Sequence, residues 1–192
     1  MINLSREEII KKLRGGESLA GINLVGVDLS YETFKGANLA GLDLHNAHLQ
    51  NSNLERVDLS GANLEGAFLF GCNLFQAKLD GANLREANLQ DSNLEEATLN
   101  KANLFHASLF GSSLEKANLS DADLSKARMK RANLRSARLH RCQMQNTHLE
   151  RADLSRASLQ DADLRFASFT NAVVNQTDFT GAKLDGVTGL EN

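Results

Sequence analysis

The feature that most constrains this chain is a period of five. From Leu24 to Leu184 every fifth residue is apolar, 33 positions without an exception and most of them leucine. The substitutes are Met129, Met144, Val174, Phe34, Phe169 and Phe179, all of which fill space without needing a polar partner. Two residues before each of these centres lies a second, smaller position, alanine in 21 of the same 33 pentads and charged only at Glu32. Two inward residues in five account for most of the 42% hydrophobic content. A fixed repeat outranks local propensity, because each unit can bury its apolar side only against its neighbours.

A spacing of two puts both inward residues on one face of an extended segment, whereas a helix needs recurrences near 3.6 residues. Five is odd, so an unbroken strand would send successive centres to opposite faces. The backbone must therefore turn within every pentad, and each pentad is one short side plus a corner. Eleven of the 14 glycines fall two residues after a centre, where the bend is cheapest. Arg56, Glu86, Lys101 and Arg131 share that slot, so the glycines alone do not establish that every corner is left-handed. Asn or Asp precedes the centre in 18 of the 33 pentads and can bond to the nearby backbone of a tight turn. Proline is absent, as suits a stack in which the next coil needs the N–H groups.

Blocks such as Ala62-Asn63-Leu64-Glu65-Gly66, Ala82-Asn83-Leu84-Arg85-Glu86 and Ala162-Asp163-Leu164-Arg165-Phe166 resemble the A-(N/D)-L-x-x unit of the pentapeptide-repeat proteins. The resemblance covers about residues 17–187. It implies an all-β fold, a right-handed quadrilateral parallel β-helix in which four pentads make one turn. About eight coils follow, a solenoid about 40 Å long at the usual strand spacing. Residues 1–16 are expected to form a short capping α-helix: Ser5-Arg6-Glu7-Glu8 fits a capping box, Ile9, Ile10 and Leu13 form an apolar stripe, and Gly15-Gly16 stops it. Residues 17–187 form the β-helix and 188–192 a tail. The C-terminal coil is expected to be under-capped, which would allow an end-to-end homodimer.

No arrangement of nucleophile, acid and base suggests an enzyme, and neither a cofactor nor a metal is expected. Cys72 and Cys142 occupy small inward slots three and a half coils apart, too far for a disulfide. His45, His48, His106, His140 and His148 are scattered over outward positions without the companions that specify zinc. No apolar run spans a bilayer and the acidic N-terminal residues Glu7 and Glu8 do not suit a signal peptide, so the expected compartment is the cytoplasm.

Function should lie in outward departures from the repeat. Phe68, Phe70, Phe75, Phe105 and Phe110 occupy non-core slots and are read as one aromatic neighbourhood. Residues 121–141 carry Lys126, Arg128, Lys130, Arg131, Arg135, Arg138 and Arg141 against two acids, a basic belt around one coil. Residues 42–100 are net acidic. A non-enzymatic protein-interaction module, scaffold or regulator using the aromatic patch and the belt is the favoured function. The family implies an alternative, a DNA-mimicking inhibitor or protector of gyrase, but the belt would repel a DNA-binding saddle and no continuous acidic face is present. The belt is too small for more than weak, salt-sensitive nucleic-acid contact.

Overall fold

The computed structural model describes residues 2–190; Met1 and the end of the expected tail, Glu191 and Asn192, lie outside the described residues. From Asp28↔His48 to Ser168↔Thr188, parallel bridges join each residue before a centre to its equivalent four pentads later. The rod therefore has four sides, and residues whose numbers differ by four pentads stack vertically. We number the sides by their centres: face 1 carries Leu44, Leu64 and Leu84, face 2 Leu49, Leu69 and Leu89, face 3 Leu54, Leu74 and Leu94, and face 4 Leu59, Leu79 and Leu99.

One pentad shows how the backbone is satisfied. The Ala62 N–H donates to the Leu59 carbonyl at 3.0 Å across the corner. Asn63 N–H donates to Leu42 in the coil before (2.9 Å), while Leu64 and Gly66 donate to Asn83 and Arg85 in the coil after (2.7 and 2.9 Å). The fifth N–H, on Glu65, donates to the Asn63 side chain at 3.3 Å. That last bond explains the Asn/Asp preference: from Val25 N–H on Asn23 to Thr180 N–H on Asp178, the 18 side chains of this slot each accept it.

The corners answer a point that the spacing left open. All 34 corner residues from Gly21 to Gly186 have φ between 52° and 77°, including Arg56, Glu86 and Lys101 at 57° and Arg131 at 61°. Left-handed backbone costs a residue with a Cβ about 1 kcal/mol. The corner N–H must nevertheless point along the rod to reach the next coil, and the ladder holds it there. At Gly111 the glycine also makes room, since a Cβ would run into the Asp91 carboxylate one coil back.

The core is a continuous column in which the centres are buried from Leu19 to Phe169 and the small residues from Ala47 to Ala167, while Ile22, Val27, Ala37 and Leu42 are half-buried. Polar atoms in the small slot are paired: Thr147 donates to the carbonyls of Leu124 and Met144, and Ser112 to Leu109. Towards the C-terminus the column opens. Phe179 packs edge-on against Phe169 at 6.0 Å, but Leu184 is 40% exposed. Among the described residues, the N–H groups of Val174, Gln176, Phe179, Gly181, Leu184 and Gly186 have no backbone partner.

At the other end, helix α1 spans Arg6–Arg14 and its capping box forms, with Ser5 and Glu8 bonded reciprocally. Ile9, Ile10 and Leu13 are buried and join the core. The N-terminal residues do more than cap. Ile2 pairs with Ile22 as a parallel strand, a contribution the reading of residues 1–16 as a helix alone missed. Glu32, the one charged residue in the small slot, is the anchor for α1. Its carboxylate accepts from Arg6 at 2.9 Å and Arg14 at 2.6 Å. Glu32→Gln should lower stability by about 1 kcal/mol, the scale of a partly exposed ion pair. Hydrogen exchange should accelerate in α1 and leave the central coils unchanged; equal protection of α1 in both proteins would refute the anchoring role.

Candidate functional site

The vertical stacking of coils sorts the outward side chains by face. Phe68, Phe70 and Phe110 share face 2. Phe105 lies on face 1 and Phe75 on face 3, because the two stand one and a half turns apart; the five phenylalanines are therefore not one neighbourhood. Phe105 is also occupied within the rod, with the Arg85 guanidinium 4.7 Å and the Lys126 ammonium 5.5 Å from its ring centre. On face 2, Phe68 stacks on His48 at 4.7 Å, and Phe68 and Phe70 are 38% and 36% exposed.

The basic belt separates in the same way, since each pentad turns a corner. Arg135 is on face 3 and pairs with Asp153 at 3.2 Å. Arg138 is on face 4. Arg141, on the corner between faces 4 and 1, binds Asp121 through two nitrogens at 2.7 and 2.9 Å. This pairing holds the Asp121 carboxyl below its ordinary range. Only Lys126, Arg128, Lys130 and Arg131 remain together, on face 2 and its two corners. All four are exposed, and among the described residues none has a carboxylate partner.

Face 2 thus joins part of the aromatic set to part of the cationic set. Arg128 stands between Ser108 and His148 in one vertical column, and Lys130 between Phe110 and Glu150 in the next. The Arg131 guanidinium lies 5.8 Å from the Phe110 ring centre. A groove of about 490 Å³ is lined by the six residues of these two columns and Gln90. A second, of about 360 Å³, continues past Gln90 to Phe70. Sequence reading missed Gln90, Ser108 and His148, although stepping one coil on from Phe70, Asn88 and Arg128 would have found them. It also missed Tyr31 and Phe166, exposed aromatic residues on left-handed corners.

The thiols offer no nucleophile at neutral pH. Cys72 and Cys142 are buried and donate to the Leu49 and Leu119 carbonyls at 2.9 Å, and desolvation pushes them up to about 11 and about 12. Among the described residues no group of three or more His, Cys, Asp or Glu is placed to hold a metal ion. No helix of the described residues is long and apolar enough to cross a membrane.

This architecture defines a class, a four-sided solenoid assembled from five-residue sides. The family model for pentapeptide repeats matches in eight copies, over residues 18–56, 37–76, 69–109, 102–141, 112–151 and 147–186. The chain belongs to the pentapeptide-repeat family and has its right-handed quadrilateral β-helix. Among solved structures it is similar to HetL of the cyanobacterium Nostoc sp. strain PCC 7120, a protein involved in heterocyst differentiation regulation. Identity is 31% over 98% of this chain and 95% of HetL, with a TM-score of 0.64. It is also similar to a pentapeptide-repeat protein of the Arabidopsis thaliana thylakoid lumen, 32% identical over 54% of this chain and 68% of that one, TM-score 0.38. QnrB1, a plasmid-mediated fluoroquinolone resistance protein, matches at 20% identity over 88% of this chain and 89% of its own, TM-score 0.46. Comparison with proteins of curated function returns no match.

Proposed function

We propose that this protein acts without catalysis, as a protein-binding scaffold and regulator, and that face 2 is its contact surface. The observation that carries this reading is the coincidence on face 2 and its corners of Phe68, Phe70 and Phe110 with four exposed cations that have no carboxylate partner among the described residues. Binding energy in interfaces concentrates in aromatic and arginine side chains of this kind. The backbone ladder beneath them is rigid, so little ordering cost falls on the scaffold. The likeness to HetL supports a regulatory role. Capture from a lysate of the source organism, with wild-type protein and with Phe70→Ser/Phe110→Ser as baits, tests it. At least one retained protein should disappear with the double variant; an identical set on both baits would overturn the assignment of face 2.

The gyrase-protector alternative requires a continuous acidic surface. The outward column of face 3 that holds Glu55, Glu95 and Glu115 also holds Lys35, Phe75 and Arg135, and face 2 is cationic. Low-micromolar inhibition in a supercoiling assay would restore that alternative.

A separate observation favours self-association. The last described coil presents a row of N–H groups without backbone partners among the described residues, beside the exposed Leu184, an open strand edge of the kind that pairs with another chain. We infer an end-to-end homodimer through this coil. Sedimentation should show a concentration-dependent dimer that Leu184→Lys disperses; a strict monomer at high concentration would refute it.

A further inference from the structure

Resting on the reading of face 2 as a contact surface, we propose that its partner is an amphipathic α-helix lying along the rod. Its apolar side seats on Phe70 and Phe110, and its acidic end lies against Arg128, Lys130 and Arg131. Three features of the face lead there. The first is spacing. Phe70 and Phe110 are two coils apart, about 9.6 Å at the strand separation, and Lys130 lies one coil further, about 14.4 Å from Phe70. On an α-helix, residues seven apart are about 10.5 Å apart along the axis, and the next turn adds about 5.4 Å. A helix therefore presents apolar, apolar and acidic groups nearly in step with Phe70, Phe110 and Lys130. An extended peptide repeats on one face every ~6.6 Å and puts no side chain near the second aromatic position.

The second feature is shape. Between the two phenylalanines, Asn88 and Gln90 leave the trough that continues into the larger groove beside Phe110, open from Asn51 and Gly71 down to Glu150. The space between the two rings gives room to the side chains that a helix lying along the rod carries between its two apolar contacts. The third is charge. The four cations occupy one coil, Arg151 adds a fifth one coil on at the corner of Arg131, and the group is bounded by Asp91 two coils above and Glu150 below. A patch one to two coils high fits one or two carboxylates at the end of a segment. It does not fit a phosphodiester backbone, whose charges continue past the patch and meet those acids.

The test uses the full chain and fluorescent, lactam-bridged helical peptides of about 18 residues, roughly five turns. The acidic probe carries two leucines a heptad apart and glutamates in the following turn. A basic probe exchanges the glutamates for lysines, a polar probe exchanges the leucines for serines, and a single-stranded DNA oligonucleotide serves as the fourth ligand. Anisotropy should show that the acidic probe binds and that the other three bind at least about tenfold more weakly, a difference of about 1.4 kcal/mol. Arg128→Glu/Lys130→Glu and Phe70→Ser/Phe110→Ser should each weaken the acidic probe by about tenfold or more. Arg138→Glu, on face 4, should leave it unchanged. All variants should keep the parent circular dichroism and melting temperature, since none alters a residue of the buried core.

Equal binding of the basic probe or of the DNA would overturn the proposal, as would indifference to the face 2 substitutions. Should no probe bind while capture from the lysate still depends on Phe70 and Phe110, the helix is refuted and the scaffold reading stands. Loss of both results would remove face 2 altogether.

Discussion

Leu104→Lys is expected to unfold the central coils. Leu104 is fully buried in the face 1 stack between Leu84 and Leu124, and no acid lines that column to receive an ammonium. Even Leu104→Ala should cost about 3 kcal/mol, within the range for buried leucine with partial collapse of the cavity. The lysine adds the desolvation of an unpaired charge, several kcal/mol more, against a total stability of about 5–15 kcal/mol. In a solenoid each coil is supported only by its neighbours, so damage in the middle divides the cooperative unit. The comparison is Leu184→Lys, at a position 40% exposed, which should stay within about 1 kcal/mol of the parent monomer. Urea unfolding followed by circular dichroism distinguishes them. A Leu104→Lys protein that melts with the parent would mean that the centres do not form the core.

Proline substitution on face 4 should divide just as sharply between two residues of one strand. The Arg138 N–H donates to the Ala117 carbonyl at 2.9 Å, whereas the His140 N–H has no partner among the described residues. Arg138→Pro removes a ladder bond inside the stack and should cost about 3 kcal/mol or more. His140 is the second residue of the corner turn, where the φ of proline is favoured. His140→Pro should therefore change stability by less than about 1 kcal/mol, with the reduced freedom of its unfolded chain acting in its favour. Thermal melts at one pH suffice for the comparison. Equal losses would show that the His140 N–H is not free.

Much of this architecture was legible because the repeat is so regular. The inward slots, the corners and the Asn/Asp preference follow from counting in fives, and Glu32 stood out as the one charge where alanine is the rule. Its reason was not legible, because Arg6 and Arg14 reach it from a helix whose placement depends on tertiary packing. The number of sides came from the family resemblance rather than from the spacing of any residue. Once it is known to be four, Phe105 and Phe75 move to opposite faces, and Arg135, Arg138 and Arg141 leave the side that holds Lys130. The left-handed backbone at Arg56 and Arg131 was hidden for another reason. Composition reports what a corner tolerates, and these arginines adopt a conformation imposed by hydrogen bonds to the coil beyond.

The four-pentad coil gives insertions and deletions an unusual meaning in this molecule. Gain of a single pentad between Phe70 and Phe110 would continue the ladder yet rotate everything downstream by a quarter turn, parting the aromatic residues from one another. Gain of four pentads would leave each downstream residue on its original side and only lengthen the ruler. Evolution can thus re-index which side chains are displayed together by slipping in units of five, with no change to any of them.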